Sequence, residues 1–205
     1  MSERESGTGK GVYLARHGQT AYNLEGRFQG QLPVPLDEQG REQAHELAES
    51  AAAHGFAVLW SSTLLRARET AEIVAARIGL EPKEDTRLVE TDAGDWTDRP
   101  FADVQAQAPE LFAKFIAGDP TFAFPGGESF ARQEVRVGAA LDEIEQGPLP
   151  ALVVCHGMVI RAALSVRAGH WLPYGQRVPN GALVPLDPEE LARTDLGGEE
   201  TTQAS

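Results

Sequence analysis

Three short apolar runs, residues 12–15, 57–60 and 152–155, each break abruptly into a polar loop. The loops open with Arg16-His17-Gly18, Ser61-Ser62-Thr63 and His156-Gly157. A buried strand that opens into a polar loop presents side chains at the rim of a sheet, where function-bearing residues collect. Between the runs, apolar residues recur at helical spacing. Asp37 reads as an N-cap, followed by Ala44, Leu47, Ala48 and Ala51 until His54-Gly55 ends the helix. The hydroxyls at 61–63 are placed to cap a second helix, with Arg66 in its first turn, buried at Ala67, Ala71, Val74, Ala75 and Ile78 and stopped by Gly79. Ser129 caps a third, with Phe130, Val137, Leu141 and Ile144 on one face; His156-Gly157 opens a fourth, and residues 180–186 read as a last strand. Alternation of this kind predicts an α/β fold, a three-layer α/β/α sandwich around a mostly parallel sheet.

Residues 91–127 interrupt the alternation. They are rich in Asp, Pro, Gly and Phe, with one short helical pattern at 110–116, and are expected to form a lid over the sheet rim. A chain of 205 residues suffices for one such domain, assigned to residues 11–186. Residues 1–10 read as a flexible N-terminus. From 187 onward six acids (Asp187, Glu189, Glu190, Asp195, Glu199, Glu200) face one Arg193, which predicts a solvated acidic tail.

The net charge of −13 argues against nucleic acid or an anionic membrane as partner. No stretch is long and apolar enough for a membrane span, residues 1–10 lack the apolar core of a secretory signal, and the single Cys155 lies in a strand pattern. The expected location is the cytoplasm. A homodimer is compatible with the sequence.

The polar loops carry a recognisable set of motifs. Leu14-Ala-Arg16-His17-Gly18-Gln19-Thr20 is followed by Asn23, Arg27 and Gln29-Gly30. Ser62-Thr-Leu-Leu-Arg66-Ala67-Arg-Glu-Thr70-Ala71, Leu88-Val-Glu90 with Gly94-Asp-Trp96, Gly126-Gly-Glu-Ser129 and Val153-Val-Cys-His156-Gly157 come in order behind it. Over about residues 11–186 the chain resembles the histidine phosphatase superfamily, also called phosphoglycerate-mutase-like, on the phosphatase side of its first branch.

The resemblance implies a phosphoglycerate-mutase-like fold and a metal-independent phosphomonoester hydrolase working through a phosphohistidine. On it, His17 is the nucleophile, since a neutral imidazole nitrogen attacks phosphorus near neutral pH. Arg16, Arg66 and His156 would neutralise the transferring oxygens, with Asn23, Gln29, Gly30 and Gly157 as further phosphate or substrate contacts. Glu90 takes the place of the general acid, with a raised pKa expected beside bound phosphate and Asp92 as the alternative. No cofactor and no metal is implied, and the partner is a small phosphorylated substrate.

Some residues need no functional account: Trp96 reads as lid packing, Cys155 as core, and His45, His54 and His170 as helix-face or helix-end positions. Departures from the family pattern bear on the substrate. Gln19 replaces the usual Glu, Pro33 stands where Asp is frequent, Asp37 replaces Ser or Thr, and Thr97-Asp98 stands where Glu-Gly is common. The mutase members grip a second anionic group with a cationic lid. From Thr91 to Phe130 this chain has two cations, Arg99 and Lys114, against seven acids, Asp92, Asp95, Asp98, Asp103, Glu110, Asp119 and Glu128. Phe101, Phe112, Phe115, Phe122 and Phe124 share the segment, either as an apolar pocket wall or as lid packing. Phosphoglycerate mutase and a non-catalytic phosphate-binding module are the competing readings.

Overall fold

The computed structural model describes residues 11–169 and 178–192. Its sheet has five strands in the order β3-β2-β4-β1-β5, where β1 is Val12–Arg16, β2 Val58–Ser62, β3 Pro82–Asp85, β4 Ala151–Cys155 and β5 Leu183–Pro185. β3, β2, β4 and β1 run parallel to one another and β5 is antiparallel to β1, so the expected mostly parallel sheet is present.

A one-turn helix, α1 (Ala21–Leu24), follows β1. Both faces of the sheet are covered, which is why β1, β2 and β4 read as continuous apolar runs rather than as alternation. On one face α2 (Glu38–His54) and α3 (Leu65–Ile78) bury Leu47, Ala48, Ala51, Ala67, Ala71 and Val74 against Tyr13, Ala15, Leu59 and Val154. On the other, α6 (Phe130–Glu145) and α7 (Gly157–Ala168) bury Val137, Leu141, Ile144 and Ile160 against Leu14, Val153 and Cys155. Neighbouring strand residues therefore go to opposite layers, as a period of two requires. The expected caps of α2 and α6 are present: Asp37 accepts from Gly40 N and Ser129 from Arg132 N. Gly55 and Gly79 end α2 and α3 in the left-handed conformation that glycine takes without steric cost.

Two expectations are corrected, and one strand leaves no mark in the sequence pattern. No hydroxyl caps α3; its N-cap is Leu64, and Ser61 and Ser62 belong to β2. The edge strand β3, Pro-Lys-Glu-Asp, has no apolar run and pairs on one side only. The segment expected to be a solvated tail opens with a one-turn helix, α8 (Pro188–Leu191), capped by Asp187; Leu191 packs on the core, and Glu190 accepts the Tyr13 hydroxyl at 2.6 Å. Residues 1–10, His170 and 193–205 lie outside the described residues.

The excursion after β3 holds two helices, α4 (Phe101–Gln107) and α5 (Pro109–Ala117), of which only α5 shows in the sequence pattern. Its core is separate from the sheet's: Trp96, Val104, Phe115, Phe122, Phe124 and Phe130 cluster around Phe28, with Phe101 and Phe112 half-buried at its edge. Trp96 packs the lid, as expected, at ring distances of 5.2 Å from Phe28 and 5.4 Å from Phe124.

Candidate active site

β1 and β4 lie side by side in register, Arg16 opposite Cys155, so the next residues, His17 and His156, leave the sheet together at its carboxyl edge. This is where open α/β sheets take their ligands. Their rings are 5.2 Å apart between centroids, and both side chains are buried.

His17 is held from both ends. Its backbone N–H donates to Cys155 O at 3.0 Å and Asn180 Nδ2 donates to its carbonyl at 2.9 Å. Ring Nδ1 lies 2.7 Å from Gly18 O, an acceptor only, which puts the ring proton on Nδ1. Nε2 is then the lone-pair nitrogen, and Arg66 Nε donates to it at 3.2 Å. Burial, then the Arg66 and Arg16 guanidiniums, push the His17 pKa well below its ordinary value, so the ring is neutral. His156 is shifted down in the same way, by burial first and Arg66 next.

Ser62 orients His156. Its Oγ accepts from Leu64 N at 3.2 Å and lies 2.8 Å from His156 Nε2, where its hydroxyl proton can bond Nε2 in the tautomer that carries the ring proton on Nδ1. Nδ1 is buried and bonds to no protein atom. A donor of this kind suits an oxyanion.

Arg66, in the first turn of α3, is 1% exposed, and burial lowers its pKa to about 10, with Glu90 opposing and Arg16 adding to the shift. Its Nη atoms donate to Gly30 O at 2.9 Å and Leu32 O at 3.1 Å, which explains Gly30: a carbonyl that aims the guanidinium, on a backbone at φ +50°. Arg16 Nη1 donates to Val178 O at 2.6 Å, and Gly157 lies beside its guanidinium, where an added Cβ would make ordinary van der Waals contact with Nε at 3.5 Å.

Arg16, His17, Gly30 and Arg66 line one pocket with Asn23, Arg27, Phe28, Gln29, Glu90, Thr91, Ala93, Phe101, Phe115, Phe124 and Met158, while His156 is fully buried beside His17 and is not part of the lining. Glu90 reaches it; Asp92 is exposed and spends Oδ1 on Gly94 N at 2.9 Å. The Glu90 carboxylate accepts from Thr91 N at 2.8 Å and faces the first turn of α7 at Met158 N, 3.5 Å away. Asn23 and Gln29 also lie at the pocket, joined through Thr20, whose N–H bonds Asn23 Oδ1 and whose hydroxyl reaches Gln29 Oε1 at 3.1 Å. Gly157 contributes through its contact with Arg16 and does not line the pocket. Of the lid phenylalanines, Phe101, Phe115 and Phe124 both pack the lid and face the pocket.

Sequence reasoning missed two contributors. Ser62 reads in the sequence as a helix cap, and Asn180, which bonds both the His17 carbonyl and Asn23 Oδ1, sits in a loop with no local signal. Among the described residues no cluster of three or more His, Cys, Asp or Glu is placed to hold a metal, and no helix is long and apolar enough to cross a membrane.

Comparison with known proteins agrees with this arrangement. Residues 12–191 match the model of the histidine phosphatase superfamily (branch 1). A Salmonella paratyphi B protein named probable phosphoglycerate mutase GpmB is 35% identical over 184 residues, 87% of this chain and 85% of its own. Among solved structures, a mycobacterial glucosyl-3-phosphoglycerate phosphatase superposes with TM-score 0.76 at 33% identity, over 85% of this chain and 88% of that one; it has also been solved with VO3. The alpha-ribazole phosphatase from Shigella flexneri superposes with TM-score 0.71 at 28% identity, over 84% and 87%. With the family model spanning residues 12–191 and a relative 35% identical over 87% of its length, the chain belongs to the histidine phosphatase superfamily, branch 1.

Proposed function

We infer that the protein hydrolyses small phosphomonoesters by passing the phosphoryl group through His17 to water. The observation that carries this reading is His17 itself: a neutral, buried imidazole whose Nδ1 proton is committed to Gly18 O and whose Nε2 lone pair faces the Arg66 guanidinium in a pocket that also holds Arg16 and the Glu90 carboxyl group.

The chemistry follows from those atoms. A phosphate dianion takes over the Arg66 Nε–H from His17 Nε2 and gathers donors from Arg16, Arg66 and His156 Nδ1. Nε2 forms a bond to phosphorus as the bond to the leaving oxygen breaks, and protonated Glu90 gives that oxygen its proton. The imidazole keeps its Nδ1 proton and carries a positive charge stabilised by Gly18 O. Water then attacks phosphorus, ionised Glu90 takes its proton, and the P–N electrons return to Nε2. Every group ends as it began.

Two relatives that carry phosphatase names support hydrolysis. The name of the Salmonella relative favours a second reading, transfer to a phosphoglycerate. That reaction needs a binding place for a second anion, and seven acids against two cations between Thr91 and Phe130 weigh against it. Purified protein in excess chelator is expected to release phosphate from para-nitrophenyl phosphate, and His17→Ala to release it about a thousandfold more slowly or worse. Equal release by both proteins would remove His17 from the reaction. Turnover of a phosphoglycerate only when a bisphosphorylated primer is added would favour the mutase.

A further inference from the structure

Arg16 and Arg66 sit at the phosphate end of the pocket, and one more guanidinium lines it, that of Arg27. Arg27 is already engaged. Its Nη2 donates to Asp98 Oδ1 at 2.7 Å and to the Asp98 carbonyl oxygen, Glu25 approaches Nε at 3.8 Å, and the guanidinium lies 5.6 Å from the centre of the Tyr22 ring. The Tyr22 hydroxyl donates to the same Asp98 Oδ1 at 2.7 Å.

The backbone goes out of its way to place that carboxylate. Asp98 has φ +65°, the one positive φ outside glycine among the described residues, in a region that asparagine and aspartate tolerate better than other side chains. Backbone bonds pin the segment across the pocket: Asp98 N to Phe28 O at 2.8 Å, Phe28 N to Arg99 O at 3.0 Å and Phe101 N to Gly26 O at 2.8 Å. Around this neutralised pair the wall is apolar. Phe28 and Phe101 meet edge to face at 4.3 Å, and Phe115, Phe124 and Met158 continue the surface.

We propose that Asp98 is a specificity-determining residue, masking Arg27 so that the site selects monoesters with a neutral, ring-bearing leaving group and discriminates against one that carries a second anion. The proposal rests on the phosphomonoesterase reading above. A carboxylate on the leaving group reaches a guanidinium whose charge is already balanced and must lie beside the Asp98 and Glu25 carboxylates. A neutral ring meets the half-buried Phe101 and the rims of the other wall residues and brings no charge beside the two carboxylates. With residue 98 uncharged, Arg27 becomes a free partner for that carboxylate.

The test compares phenyl phosphate with its 3- and 4-carboxy derivatives in wild type, Asp98→Asn and the double variant Asp98→Asn with Arg27→Gln. Asparagine occupies the left-handed region as readily as aspartate, so the single variant keeps the backbone. Wild type is expected to favour phenyl phosphate in kcat/KM. Asp98→Asn should shift the ratio toward a carboxylated ester by about fivefold, and the added Arg27→Gln should cancel the shift. A wild type that prefers the carboxylated esters, or a ratio that Asp98→Asn does not move, overturns the proposal. Titration calorimetry with phenylphosphonate and its carboxylated analogues, which no phosphatase cleaves, gives the same comparison as affinities. If no ester is turned over, the hydrolase reading fails, while the phosphonate affinities still decide for or against the masking by Asp98.

Discussion

His17 and His156 are buried beside the Arg66 and Arg16 guanidiniums, so their charged forms are disfavoured twice, by burial and by like charge. This has a consequence for stability. Above the ordinary histidine pKa of about 6.5 both folded and unfolded states carry neutral rings and nothing changes with pH. Below it the unfolded chain binds protons that the folded one refuses, so stability falls as pH drops, by up to about 1.4 kcal/mol per pH unit for each ring. Urea unfolding at pH 7.5 and 5.5 should show the loss, and His17→Asn should lose less over the same interval. A pH-independent difference between the two proteins would mean that His17 titrates normally in the fold. The residues themselves were legible in the sequence, because Arg16-His17-Gly18 and His156-Gly157 interrupt apolar runs. Their protonation was not: it depends on Gly18 O and on Ser62 Oγ, contacts that exist only once the chain has folded.

At the scale of elements, the loop that carries His17 is set by two glycines. A Cβ on Gly18 would lie 2.1 Å from Gly40 O, and one on Gly40 would lie 2.0 Å from Gln19 O, so the first turn of α2 and the residues after β1 pack backbone to backbone. Gln19 is tied to the same turn through Asp37 N, Asp37 Oδ2 and Gln43 Oε1. Gly40→Ala is therefore expected to destabilise the protein by about 3 kcal/mol and to lower kcat by displacing His17. Gly138→Ala, in α6 with nothing within 4 Å of the new methyl, should instead stabilise by about 0.5–1 kcal/mol. Thermal unfolding of the two variants checks both signs; equal and small effects would mean that the contact between loop and helix is loose.

The segment bearing Glu90 has a comparable device. Arg136 in α6 donates to the Arg87 and Val89 carbonyls at 2.7 Å each and is paired with Glu128 at 2.7 and 2.8 Å, which gives the Gly126-Gly-Glu-Ser129 motif a structural reason. Helices α2, α3 and α6 were legible from caps and period. β3 was not, since an edge strand with polar side chains leaves no apolar run, and α4 was hidden because its seven residues bury only Val104.

For the molecule as a whole, a net charge of −13 contrasts with a pocket that gathers the guanidiniums of Arg16, Arg27 and Arg66. The sheet edge gathers the phosphate-binding groups, and the lid supplies the carboxyl group, the phenylalanine wall and the Asp98 carboxylate. The sequence reading reached the architecture and the phosphate end of the site. It left the lid's role open between wall and packing, and the structure has the same rings serving both, an outcome decided by tertiary contacts with Phe28, more than 70 positions away from the first of them.

The account turns on a phosphoryl group residing on His17. The measurement that tests it most directly mixes protein with a slight excess of para-nitrophenyl phosphate and quenches in alkali within the first turnover, for wild type and for Glu90→Gln. Alkali preserves phosphohistidine, so mass spectrometry of the peptides locates the phosphoryl group. The expected result is one phosphoryl group per chain on the peptide holding His17, longer-lived in Glu90→Gln, whose side chain cannot take the proton from water. Phosphate release with the phosphoryl group found on another residue, or on none in either protein, would contradict it.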